Sequence, residues 1–168
     1  MIDKAKKSLP LIAVILGIFA FLMLFCPAVC IESEEFGNYM EDLVIGIRGV
    51  DVVFGFEMLG EDILDFSFMG FVTFAMPLVA CICLFLAESK QDKRYAYAAI
   101  VCFLVGAICM FCLPSFMAWS NKKLGDEIKE EADLSLATTT IYGAIACLLA
   151  ALCAFKSKED CVAVQEEQ

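Results

Sequence analysis

The sequence predicts an all-α membrane protein: a four-transmembrane-helix bundle with a long acidic first outer loop that holds a small β-hairpin. Three observations predict it. The 168 residues are 61% hydrophobic with mean hydropathy +0.81, too apolar for a soluble domain of this size. The apolar residues stand in long blocks rather than at strand or helix spacing. Four blocks, residues 9–31, 66–87, 95–120 and 134–155, contain no Asp, Glu, Lys or Arg, and each reaches the about 20 residues that cross roughly 30 Å of hydrocarbon. Lipid leaves backbone groups no partner outside a helix or a closed barrel, so the blocks read as helices. The chain forms one domain on this reading, with an outer loop at 32–65, an inner loop at 88–94, an outer loop at 121–133 and an inner tail at 156–168.

The first block follows Lys4, Lys6 and Lys7, as a secretion signal would. It is longer than the roughly 7–15 apolar residues of a signal core, and no small-x-small cleavage site follows. A lipoprotein signal wants a small residue before its cysteine, whereas Phe25 precedes Cys26 and Val29 precedes Cys30. The block is read as an uncleaved span. Pro27 falls near its end, where a missing backbone donor matters little.

Orientation follows from Lys and Arg alone. Lys4, Lys6, Lys7, Lys90, Lys93, Arg94, Lys156 and Lys158 lie on one side, and Arg48, Lys122, Lys123 and Lys129 on the other. The richer side is cytoplasmic, which places both termini inside and the protein in the cell membrane as a multi-pass chain. The net charge of −10 is uneven: the first outer loop has ten acids against Arg48. A negative outer face repels nucleic acid and attracts cations or basic partners. The plainer reading is that these acids keep an exposed loop solvated.

Within that loop, Val50, Val52, Phe54, Phe56 and Met58 alternate with Asp51, Gly55 and Glu57, interrupted at Val53. This is strand spacing, and it predicts a hairpin turning near Arg48 and Gly49. A short amphipathic helix over residues 43–47 is the alternative. Pro77 in the middle of the second span predicts a kink, the freed carbonyl being met by a group such as Thr73 or a neighbouring helix. The short inner loop makes the second and third spans antiparallel neighbours. Tyr95 and Tyr97 mark the inner interface, Phe116 and Trp119 the outer one. Ala98, Cys102 and Gly106 form one small-residue stripe, and Gly143, Cys147 and Ala151 another, the kind of surface along which helices approach closely in lipid. The tail is expected to be disordered. Phe25-Cys26-Pro27 is echoed by Phe111-Cys112-Leu113-Pro114, and Ala80-Cys81 by Ala146-Cys147, which predicts two parallel halves of two spans each.

The chain has no histidine, which removes the commonest general base and any Ser-His triad. It has no Gly-rich phosphate loop, and with no charge inside a span, ion-coupled transport lacks its usual groups. No cofactor is called for. Ten cysteines remain. Cys109 and Cys112 form a vicinal pair on one helix face, and Cys26 and Cys30 stand one helical turn apart; these four are the redox candidates. No Arg, Lys or His flanks Cys109 or Cys112 to favour a thiolate, and cysteine is also an ordinary small apolar filler. Two acidic clusters, Glu32, Glu34 and Glu35, and Glu61, Asp62 and Asp65, are candidate metal ligands for calcium, although no EF-hand spacing is present.

Two thiol pairs in a four-helix bundle resemble the quinone-linked disulfide-generating membrane enzymes and the vitamin K epoxide reductase family. That resemblance implies a relay of oxidation to a second pair on an exposed loop, and neither outer loop here has a cysteine beyond Cys30. The outline of four spans with a long first outer loop and a shorter second one is similar to claudin-like tetraspan proteins. The Gly-Leu-Trp and paired loop cysteines of that family are absent, and Trp119, the only tryptophan, lies elsewhere. The run from Phe25 to Val29, followed by Gly49-Val50-Asp51-Val52-Val53-Phe54-Gly55, resembles small four-span membrane proteins of Gram-positive bacteria over about the first half of the chain. That implies a bacterial membrane protein and no particular activity. The expected function is a non-catalytic membrane protein that binds the lipid bilayer and either a membrane-protein partner or a copy of itself. The alternatives are a membrane thiol-disulfide oxidoreductase using Cys26, Cys30, Cys109 and Cys112, and a small pore or carrier subunit.

Overall fold

The structure, a computed structural model, describes residues 2–33, 45–58, 61–90, 92–120 and 132–166. Helix α1 (Ile2–Leu22) runs into a 3-10 turn at Met23–Phe25. Then come β1 (Pro27–Ser33), β2 (Ile45–Arg48), the short helix α2 (Gly49–Phe54), and strands β3 (Phe56–Met58) and β4 (Glu61–Leu64). Helices α3 (Phe68–Lys90), α4 (Lys93–Phe111) and α5 (Leu113–Ser120), strand β5 (Ala132–Leu136) and helix α6 (Thr138–Glu166) complete the chain. Among the described residues, four helices are long and apolar enough to cross a membrane, over Ser8–Phe25, Phe68–Lys90, Lys93–Phe111 and Thr138–Ser157. They fit a multi-pass membrane protein.

The long helices form a four-membered ring: α1 packs on α3 and α6, and α4 packs on the same two. Phe103 of α4 is fully buried in the middle, and Gly17 of α1 makes room for it. A Cβ at Gly17 would lie 2.9 Å from the Phe103 ring and 2.5 Å from Cys81 Sγ. The Cys81 thiol also reaches the Val14 carbonyl, at 3.6 Å. Gly106 serves the α3–α4 contact, facing Met76 and Pro77, while Gly143 of α6 faces Met110 and Met23. Small residues thus let helices of this one chain approach closely, with dispersion and shape holding them where lipid offers no hydrophobic drive.

The small-residue stripe expected on α4 holds in part: Gly106 is buried and Cys102 half-buried. Ala98 is exposed, and the buried face is Ala99, Phe103, Gly106, Ala107 and Met110. On α6 the stripe is as expected, with Gly143, Cys147 and Ala151 all buried. Lys90 and Lys93 bracket the short connection from α3 to α4, which are antiparallel neighbours as predicted. Asp92 caps α4 by accepting from the Arg94 N–H at 2.9 Å, and Lys90 Nζ lies 5.3 Å from the Tyr95 ring centre. The Thr73 hydroxyl donates to Met69 at 2.8 Å, so it points a turn away from the carbonyl that Pro77 leaves free.

The fold is not all-α. The two loops at one end combine into a three-stranded antiparallel sheet in the order β2-β1-β5. The first span therefore ends at Phe25 rather than residue 31, because Pro27 to Ser33 find strand partners on both sides. Likewise, the residues before Thr138 belong to β5 rather than to the fourth span. A hairpin does occupy the first loop, but it is β3 with β4, not a turn at Arg48 and Gly49. The segment read as strand, 50–54, is helix α2. Gly49, Val52 and Val53 are its buried residues, an i, i+3, i+4 set, so the valine that interrupted the alternation was the helical signal. The alternative helix at 43–47 gives way to strand over its described part, 45–47; residues 43 and 44 lie outside the described residues. The tail expected to be disordered is helical through Glu166.

The expected likeness of the two halves stops at their helix ends. The 3-10 turn after α1 and helix α4 both finish at a Phe-Cys step, but Cys26 is extended (φ −95°, ψ 164°) and leads into a strand. Cys112 (φ −87°, ψ 3°) leads into another helix.

Candidate functional site

The sheet end of the bundle carries Cys26, at the bend into β1, and Cys30 and Glu32 within that strand. It is built on the bend Cys26-Pro27-Ala28. The chain leaves the 3-10 turn with the Cys26 N–H bonded to Met23 at 3.1 Å. Each of the next three carbonyls is then captured by a different donor. Cys26 accepts from the Gly49 N–H at 3.0 Å, and Pro27 accepts from the Thr139 hydroxyl. Ala28 accepts twice, from the Ala137 N–H at 3.2 Å and from the buried Thr140 hydroxyl at 2.9 Å. The pairing of β1 with β2 shifts register between Pro27 and Val29, so Ala28 is the extra residue of a bulge, fully buried. A bulge bends its strand and takes it out of the ladder locally. The donors from the start of α6 satisfy the carbonyl that this leaves over.

Helix α2 is wedged into the same end. A Cβ on Gly49 would meet the Leu24 carbonyl oxygen at 2.7 Å and the Phe74 ring at 3.0 Å. The Val53 carbonyl accepts from the Ser67 N–H at 3.0 Å. Ser67 is buried and caps α3, its Oγ accepting from Gly70 N–H at 3.1 Å. Gly55 closes α2 with φ +88°, a backbone shape open to glycine and strained for other residues.

The four candidate thiols are all free and half-buried. Cys26 lies at the bend and Cys30 in mid-strand, opposite Gly46 and Ser135. They are therefore not one helical turn apart. Four residues of extended chain span roughly 13 Å, beyond the about 7 Å limit between bridged Cα atoms. Cys109 lies in the last turn of α4 and Cys112 at its C-cap, where the Cys112 N–H still bonds the Ile108 carbonyl at 3.1 Å, so the two stay one helical turn apart. Of the acidic candidates, Glu32 is in β1 opposite Asp133, Glu61 and Asp62 are in β4, and Asp65 is exposed. Glu34 and Glu35 lie outside the described residues. Among the described residues no group of three or more His, Cys, Asp or Glu is placed to hold a metal ion.

Sequence reasoning missed Ala137, Thr139 and Thr140. The signal was present as a run of three threonines, residues 138–140, inside the fourth apolar block, a helix-start pattern. What it could not reveal was that two of those hydroxyls serve another segment's carbonyls. On the bundle flank, an open apolar groove of about 380 Å³ lies between α4 and α6, lined by Ile100, Leu104, Leu148, Ala151, Leu152 and Phe155.

No protein-family model matches the chain, and comparison with curated proteins finds none similar to it.

Proposed function

We propose that this chain is a non-catalytic, multi-pass protein of the cell membrane that binds a membrane-protein partner or a second copy of itself. Both termini are cytoplasmic on this proposal, and the sheet end is outside. The excess of Lys and Arg at the end opposite the sheet supports that orientation. The observation that carries the binding reading is the groove between α4 and α6. Ala151 leaves a recess between the larger side chains of Leu104, Leu148 and Leu152, the form into which a side chain of another helix packs. The small-residue faces do not serve this role, because Gly17, Gly106 and Gly143 are occupied within the chain. The acidic first loop adds a surface suited to a basic partner. The claudin-like outline belongs to the same proposal, supported by a strand-bearing long loop and a shorter second one at the same end.

The test is photo-crosslinking in native membranes from a reactive residue placed at Leu104 or at Leu152. One discrete adduct, of dimer mass or with a single partner, is expected from both positions. Monomer alone from both would overturn the proposal. A second reading, thiol–disulfide exchange, has one supporting observation: Cys109 and Cys112 are free, half-buried thiols one turn apart at the end of α4. Mass spectrometry that finds Cys26, Cys30, Cys109 and Cys112 all reduced under oxidising conditions would remove it.

A further inference from the structure

Helix α2 belongs to a loop, yet its position is fixed against membrane-spanning segments. Val53 is tied to Ser67, the residue before the span of α3. The Gly70 backbone passes close to the Val52 carbonyl, which a Cβ there would meet at 3.5 Å. Gly49 abuts Leu24, in the last turn of the first span, and Phe74, two turns into the second. All of α2 therefore lies level with the last turn of one span and the first two turns of another.

At that level its buried face is satisfied by the bundle, and Phe54 points away from it. Phe54 is 61% exposed, and its ring lies 6.5 Å from that of Phe66, itself 54% exposed. Phe66 continues the outward face of α3, where Phe68, Met69 and Phe71 are exposed. The aromatic pair is thus an extension of a surface that faces acyl chains. Phe25 and Tyr142 are exposed near the same end of their own helices, as in the aromatic girdles that settle at membrane interfaces.

We propose that α2 is an interfacial foot: Phe54, with Phe66 beside it, inserts into the glycerol and upper acyl layer of the outer leaflet, so that the first loop is moored to lipid. This rests on the membrane-spanning reading of the four helices. The docked surface is phospholipid, not protein.

The test uses the full chain carrying Trp119→Phe, reconstituted in phosphatidylcholine vesicles whose acyl chains carry bromine either near the ester end or near the methyl end. Three separate single-tryptophan proteins are made on it, with Phe54→Trp, Phe66→Trp and Ile82→Trp. Phe54, Phe66 and Ile82 are exposed, so the surface has room for the larger ring. Emission from the Phe54→Trp and Phe66→Trp proteins should be quenched most by shallow bromine, and emission from the Ile82→Trp protein most by deep bromine. Quenching at position 82 with none at 54 overturns the foot alone. In that case acrylamide quenching at 54 would place α2 in water, and its absence would place α2 under protein. Absence of bromine quenching at position 82 overturns the spanning reading, and the foot with it.

Discussion

The tightest packing prediction concerns Gly17 and Cys81. Gly17→Ala puts a methyl group 2.5 Å from Cys81 Sγ and 2.9 Å from the Phe103 ring, and Phe103 has no free space to retreat into because it is fully buried. Overpacking of a dense core costs about 1–3 kcal/mol. Replacing a helical glycine returns about 0.5–1 kcal/mol of backbone entropy, so the net loss is about 0–2.5 kcal/mol. Cys81→Ala removes the closer of the two contacts and leaves the one with Phe103, and by itself removes a half-buried thiol at about 1 kcal/mol. The double variant should therefore be more stable than the sum of the two losses by about 1 kcal/mol, since residues in contact couple while distant ones add to within about 0.5 kcal/mol. The assay is unfolding in dodecylmaltoside micelles titrated with SDS, followed by helical ellipticity, for the four members of the cycle. Strict additivity would refute the α1–α3 register on which Gly17 faces Cys81.

Three further outcomes are expected in the same assay. Thr140→Val should cost about 1 kcal/mol, the loss of one buried hydrogen bond, and no more, because the Ala28 carbonyl keeps the Ala137 N–H. Gly55→Ala should destabilise more than Thr140→Val, as φ +88° is strained for alanine and the added Cβ would sit 2.4 Å from the Leu64 carbonyl oxygen; equal or smaller loss would argue against this backbone shape. Ser67→Ala removes the cap of α3 and should cost about 1 kcal/mol, with faster hydrogen exchange at the Gly70 amide as its specific readout.

The four long helices were legible because lipid demands unbroken apolar length, and that demand is written locally. The sheet was not, because its strands are specified by partners far away. Residues 27–31 look like more of the first apolar block until residues 132–136 arrive beside them, more than a hundred positions later. Helix α2 was misread for a different reason. Six residues with three consecutive β-branched or aromatic side chains favour a strand intrinsically, and only burial against Leu24 and Phe74 selects the helix. The stripe on α4 shows a limit of such patterns: Gly106 is covered as expected, but Ala98 and Ala99 are equally small and only the second is buried. For the thiols, spacing in sequence was misleading, since four residues mean one turn in a helix and roughly 13 Å in a strand.

The captured carbonyls at Pro27 and Ala28 also set an order of assembly. Their donors at Ala137, Thr139 and Thr140 lie just before and at the start of α6, 112 residues downstream for the Thr140 bond. As the chain emerges from a ribosome, the first span and β1 are complete while β5 is still unmade, so one edge of β1 stays open through the insertion of the second and third spans. Contacts of such separation close late. Arrival of the fourth helix completes the bundle and seals the sheet in one event, so a chain truncated ahead of residue 132 would display an unpaired strand edge, a mark by which an unfinished molecule differs from a finished one.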